Sequence, residues 1–176
     1  MKIVLIGKSC SGKTDISFLL REMGLKIALS STTRPMRVGE VDGVDYRFKK
    51  TEVFLKLIEE EQFIEHDEFN GWFYGIDRNE FNACDVLILT PRGLKRLLMN
   101  HDRKEVLVIY VDTNDVERLA RSQRRGDDPL EVLRRYQADD ADFRDFIHNQ
   151  EWDLRIDQKT RGSLRFFIDV LKTKTK

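Results

Sequence analysis

Short apolar runs alternate with amphipathic stretches along most of this chain. Residues 2–6 (KIVLI) are nearly continuous in hydrophobicity, which predicts a strand buried on both faces, as in a parallel sheet. The pattern breaks over 7–12. Ile16, Leu19, Leu20 and Met23 then recur at helical spacing, with Gly24 as a stop signal. A second strand is expected at 26–30 (KIALS). Later, 85–89 (DVLIL) and 105–111 (EVLVIYV) read as strands. The first is followed by a helix carrying Leu94, Leu97 and Leu98 on one face, the second by a helix through Val116, Leu119 and Ala120. Asp128 and Pro129 open another helix: Asp128 suits the cap, Pro129 the first position, and Glu131 completes a capping-box pattern. A last short strand is expected at 154–156, and Leu164, Phe167, Ile168 and Leu171 mark a closing helix. Strands alternating with helices predict an α/β fold with a parallel sheet covered on both sides.

Residues 31–82 break this rhythm. They are polar, turn-rich and aromatic, with one helical stretch near 53–60. They read as an insert with its own small sheet, between a core made of 1–30 and 83–176. No internal repeat, low-complexity tract or long linker interrupts the chain.

Composition narrows the classes. A chain of 176 residues suits one compact domain with small inserts, and 40% hydrophobic residues can fill a core. The 31 basic and 31 acidic groups cancel, unlike the basic balance usual in a general nucleic-acid binder. Cys10 and Cys84 are too far apart for a zinc site or disulfide framework, so a reducing, cytoplasmic setting is expected. The N-terminal apolar run is too short for a signal peptide, and no segment has the apolar length of a membrane span. His66, His101 and His148 form no ligand or base pattern.

The first break carries the chemistry. Residues 7–14, GKSCSGKT, fit G-x-x-x-x-G-K-[ST] in full, between a buried-type strand and an amphipathic helix. In such a loop, glycine allows backbone N–H groups to turn inward onto phosphate oxygens, and the next helix offers its N-terminal N–H groups. Gly7, Ser9, Cys10, Ser11, Gly12, Lys13 and Thr14 are therefore the candidate ATP-binding residues. Lys13 would reach the β- and γ-phosphates, and the Thr14 hydroxyl would ligate Mg²⁺. Cys10 reads as a small tolerated loop residue.

A second constellation separates kinases from other P-loop proteins. The segment SSTTRPMRVGEVDGVDYRF over 30–48, then FIE at 63–65 and GWFYG at 71–75, resembles the acceptor-binding signature of the guanylate kinase family. The order and spacing hold from residue 1 to about 82, and more loosely to the C-terminus. The resemblance implies a three-layer P-loop sandwich with a parallel core sheet, a small mostly antiparallel insert that binds the nucleoside monophosphate, and a short lid near 121–135. It implies that Arg34, Arg37, Tyr46 and Tyr74 grip the acceptor phosphate. Two arginines three apart with two phenolic hydroxyls suit a dianion by charge-assisted bonds. Glu65 would accept from guanine N1–H and the exocyclic amine, and Ser30 would donate to O6. Arg121, Arg125 and Arg135 resemble lid arginines over the ATP phosphates, with the choice between Arg134 and Arg135 left open by a one-residue deletion. Lys13, Arg34, Arg121, Arg125 and Arg135 are thus the catalytic candidates.

The chain departs from the family in three places. Ile76 stands where a serine or threonine helps read the base. The third core strand ends Ile88-Leu-Thr90-Pro-Arg-Gly93 where the family has two acids in D-x-D-x-Q-G; Thr90 keeps only hydrogen-bonding capacity. Ile156-Asp157 replaces the family's N-D pair near the adenine. Asp112, at the end of the following strand, is a candidate for the metal's water shell, though a plain strand-end aspartate fits it better. The expected reaction is γ-phosphoryl transfer from ATP, with Mg²⁺, to GMP or dGMP. The acceptor phosphate is already ionised at neutral pH, so no general base is needed. Two alternatives stay open: a kinase for another (deoxy)nucleoside monophosphate, and a catalytically silent binding module. Nucleotides are the expected partners, with neither nucleic acid nor membrane; oligomeric state is undetermined.

Overall fold

A computed structural model describes residues 1–69 and 71–157. Its main sheet has four parallel strands in the order β6-β1-β7-β8, formed by β1 (Lys2–Ile6), β6 (Val86–Ile88), β7 (Val106–Val111) and β8 (Leu154–Ile156). The central strand β1 pairs on both sides, Val4 with Leu87 and with Val108. Alternate side chains therefore enter opposite layers. Ile3 and Leu5 pack with Ile16 and Leu20 of α1 (Lys13–Glu22); Val4 and Ile6 pack with Leu94 and Leu97 of α4 (Pro91–Leu98) and Phe143 and Phe146 of α6 (Pro129–His148). Burial on both faces is why the strands read as unbroken apolar runs. The result is the expected α/β/α sandwich.

The second sheet runs β3-β2-β5-β4 through β2 (Ser31–Thr32), β3 (Arg47–Phe48), β4 (Phe63–Phe69) and β5 (Trp72–Asp77). Only β2 and β3 are parallel; the other pairings are antiparallel. Phe54 of α2 (Thr51–Glu59) stacks on Phe63 at 4.4 Å and lies 5.6 Å from Phe73, giving this sheet its own small core. The helix α3 (Arg78–Ala83) leads back to the main sheet.

Two expectations change. The stretch 26–30 forms a single bridge, Ile27 with Val86, and the nearby strand is Ser31–Thr32 in the second sheet. Side chains end the first ladder: the Lys26 and Leu29 N–H groups donate to Asp85 and Glu80 carboxylates. The helix α5 (Asp115–Arg124) forms as expected, but Val116 and Leu119 are exposed and its buried side chains are Arg118 and Ser122. Its inner face meets the polar backbone of the phosphate loop rather than an apolar layer. Asp128 caps α6 by accepting from Glu131 N–H at 2.9 Å, with Pro129 in the first turn. The expected closing helix lies outside the described residues.

Candidate active site

The loop after β1 curls as its sequence demands. Cys10 and Gly12 both have positive φ, 59° and 95°, and Gly12 forms the N-terminal cap of α1. Gly7 cannot carry a side chain: an added Cβ would lie 2.7 Å from the Val111 carbonyl oxygen. Lys13 Nζ arches back over the loop and donates to the carbonyls of Gly7 (2.6 Å) and Lys8 (3.1 Å). Burial lowers its ammonium to about 8, with Asp139 and Cys10 pulling the other way. An arriving polyphosphate would restore the lost stabilisation of that charge. The Ser11 hydroxyl is buried with no hydrogen-bond partner, and Thr14 is exposed beside it at the start of α1.

Two residues that sequence reading passed over hold the loop from behind. Arg118 is fully buried and forms an ion pair with Asp139. Asp139 accepts from Ser9 N–H at 2.9 Å and from the Ser9 hydroxyl at 3.2 Å, while Arg118 Nε donates to the Ser9 carbonyl at 2.8 Å. The Ser9 peptide is thus fixed on both sides. Arg118 also bonds Asp115 at 2.6 Å and lies 4.2 Å from the Tyr136 ring centroid. A sequence signal existed for Asp139. It shares one helical stripe with Val132, Arg135, Phe143 and Phe146, all buried on α6, so it is a charged residue at a core-facing position.

The cations expected from distant segments converge. Arg121 donates to the Ser11 carbonyl at 2.9 Å and bonds Glu117 at 2.9 Å. Arg125 lies 3.4 Å from the Cys10 sulfur and bonds Asp127. Arg135 is buried and reaches Asp127 at 3.0 Å, whereas Arg134 is exposed and bonds Glu131 at 2.9 Å. Of the two, Arg135 faces inward. Across from them, Arg34 makes a forked bond to Glu40 (2.8 and 3.0 Å) and lies 5.4 Å from the Tyr46 ring centroid. Tyr46 and Tyr74 meet edge to face at 6.2 Å. Burial lowers the Arg37 pKa, and the charges of Arg135, Arg34 and Arg125 lower it further. Burial opposes ionisation of Glu40 most strongly, but the Arg34 bond, the Arg37 N–H bond and the charges of both arginines together outweigh it and hold the carboxyl below its ordinary value. Glu40 thus does in the free protein what an anion would do for Arg34. Its place in the G-E pair of the signature was visible, but its role was not.

Glu65 and Thr90, two of the expected base-reading residues, sit where the second sheet meets α4. Glu65 is buried, and a Cβ on Gly93 would come within 2.9 Å of its Oε2. Burial, then the neighbouring Asp67, raise the Glu65 carboxyl to about 8, against Arg96 and the Ile76 backbone N–H. Thr90 caps α4, accepting from Gly93 N–H at 2.9 Å, and donates to Asp67 at 2.8 Å. Ser30 is half-buried just before β2, its carbonyl accepting from Arg47 N–H at 2.9 Å. Ile76 is fully buried in the main core with Phe81 and Leu94. Asp112 is committed to Arg155, with Nε at 2.9 Å.

Among the described residues no group of three or more acidic, histidine or cysteine side chains could hold a metal. A hard divalent ion arriving on a triphosphate needs few protein ligands, since phosphate and water oxygens fill most positions. The exposed Thr14 hydroxyl suits that part. A hollow of about 360 Å³ lined by Ile64, Arg78, Phe81, Asn82, Asn100 and His101 shares no residue with the loop or the arginines. The convergence of charge, rather than the size of that hollow, marks the site.

Comparison with known proteins identifies the family and the fold. A family model described as "Guanylate kinase" matches residues 1–160. A guanylate kinase of Paramagnetospirillum magneticum is 33% identical over 165 residues, covering 89% of this chain and 76% of the relative. One from Chlorobaculum tepidum is 36% identical over 144 residues, covering 75% and 72%. The crystal structure of guanylate kinase from Anaplasma phagocytophilum superposes with a TM-score of 0.67 at 24% identity, covering 99% of this chain and 85% of that one.

Proposed function

This chain belongs to the guanylate kinase family, and on that premise we propose that it transfers the γ-phosphoryl group of ATP to GMP or dGMP. The observation that carries the proposal is the meeting of two cationic sets from distant segments. Lys13 and Arg121 touch the phosphate loop, while Arg37, beside Arg34, feels the charges of Arg125 and Arg135. Arg34 is paired with Glu40 and both Arg125 and Arg135 with Asp127, so phosphate oxygens arriving between them would exchange with carboxylates that already mark the anion positions. The triphosphate of ATP and the single phosphate of GMP would supply those oxygens.

Residues 31–82 serve as the acceptor insert and 121–135 as the lid. Gly7, Ser9, Cys10, Ser11, Gly12, Lys13 and Thr14 cradle the ATP phosphates. Arg34, Arg37, Tyr46 and Tyr74 hold the acceptor phosphate, with Glu40 releasing Arg34 as the anion arrives. Glu65, Ser30 and Thr90 read the base. The Thr14 hydroxyl would hold Mg²⁺ brought in with ATP, which would supply charge neutralisation on the transferring group. The protein's own share is alignment and electrostatics, since an ionised phosphate needs no base to attack.

Initial rates with ATP, Mg²⁺ and a panel of GMP, dGMP, AMP, UMP, CMP and dTMP test this reading. GMP or dGMP should be turned over with the highest kcat/KM. Loss of the Lys13 charge in Lys13→Ala should lower kcat about a hundredfold or more. Preference for another monophosphate would overturn the base assignment, and binding of GMP without transfer would overturn the enzymatic one.

A further inference from the structure

Two carboxylates lie side by side on the insert face that the candidate acceptor site uses. In the second sheet Glu65 pairs with Ile76, Asp67 with Tyr74, and Tyr74 with Thr32. Side-chain alternation puts Glu65, Asp67 and Tyr74 on the same face. Asp67 is only 3% exposed. Its Oδ2 accepts the Thr90 hydroxyl at 2.8 Å and lies 3.5 Å from Arg92 Nε, while Oδ1 accepts Glu68 N–H at 3.0 Å.

The bond to Thr90 fixes what that hydroxyl can do. An ionised carboxylate only accepts, so Asp67 takes the hydroxyl hydrogen. Thr90 Oγ1 also accepts from Gly93 N–H at 2.9 Å, which leaves it one lone pair and no hydrogen to offer. Asp67 itself retains unused lone pairs, since a carboxylate has about four acceptor sites. The corner formed by Asp67 and Thr90 is therefore acceptor-only. Capping α4 requires only the threonine. Burying a second carboxylate beside Glu65 adds a cost, and it is the environment that burial and Asp67 together create that lifts the Glu65 carboxyl to about 8.

We propose, resting on the reading above, that Asp67 is a specificity-determining residue whose carboxylate, acting with Thr90, takes the 2-amino group of guanine while Glu65 takes N1–H. Asp67 thereby supplies from β4 the negative charge that the end of β6 lacks at Thr90. Adenine would set a ring-nitrogen lone pair against these acceptors. Hypoxanthine keeps N1–H and O6 but has no 2-amino group, so IMP isolates the contact.

The test is kcat and KM for GMP and IMP with the wild type, Asp67→Ala, Thr90→Val and Glu65→Gln, each checked for its melting temperature. In Asp67→Ala the GMP-to-IMP preference in kcat/KM should fall about tenfold or more, mainly through KM for GMP. Thr90→Val should lower the same ratio, and it keeps the falsifying readout if Asp67→Ala does not fold. Glu65→Gln should impair both nucleotides, since both carry N1–H. Equal losses for GMP and IMP in Asp67→Ala and Thr90→Val would overturn the inference and reduce Asp67 to a support for α4. A wild type that ignores GMP but phosphorylates another monophosphate would overturn the underlying reading, and this inference with it; that result is distinct from GMP turnover with an unaltered ratio.

Discussion

At the scale of single residues, two charges in the site are held away from their ordinary ionisation. Lys13 is lowered to about 8 and Glu65 raised to about 8, each chiefly by burial. Both shifts reverse when a complementary ligand group arrives. For Glu65 the linkage has a definite sign. Between its ordinary 4.5 and about 8 the unfolded chain has lost the proton and the folded protein still holds it. The folded state binds more protons there, so this group's contribution to stability falls as pH rises through that window. Glu65→Gln removes the titration, so melting temperatures of the variant should decline less than those of the wild type between pH 5 and pH 8. A carboxylate must also form to accept N1–H, so GMP binding near neutral pH should release a proton. Titration calorimetry in buffers of different ionisation enthalpy measures that release directly, and Glu65→Gln should abolish it.

At the scale of elements, α5 and α6 are tied together through the phosphate loop rather than through an apolar seam. Arg118 from one and Asp139 from the other grip the same Ser9 peptide. Breaking a buried pair by removing one partner strands the other charge and costs roughly 3–5 kcal/mol, whereas exchanging both for apolar groups is often neutral. Arg118→Ala should thus lower stability to urea by about that amount. Arg118→Leu combined with Asp139→Ala should recover most of it. If the double variant is as unstable as the single one, the pair contributes more than mutual neutralisation. The caps were easier to foresee. Asp128, Pro129 and Glu131 act within one turn of α6, and the structure shows the bond they imply.

At the scale of the whole molecule, the proposed site draws on two distant segments, residues 31–82 and 121–135. Arg37 senses the charge of Arg135 and Arg125, although nothing local links them. GMP together with a non-hydrolysable ATP analogue should stabilise this arrangement, each by about 2.7 kcal/mol at a hundred times its dissociation constant. Thermal denaturation should show the shift. Arg135→Ala should remove much of the analogue's share, whereas Arg134→Ala, on the exposed side of α6, should not; the reverse would exchange their roles. The sequence by itself determined the alternation of strands and helices, the phosphate loop and the acceptor signature, because each is written in contiguous residues whose spacing sets backbone geometry or chemistry. The burial of Arg135 was latent in the stripe through Val132, Phe143 and Phe146. Only the tertiary structure decided that 26–30 yields a single bridge, that α5 buries Arg118 rather than Val116, and that Asp67 engages Thr90. Those outcomes depend on which polar groups meet after the chain folds, and contacts between distant segments leave no periodic trace in either one.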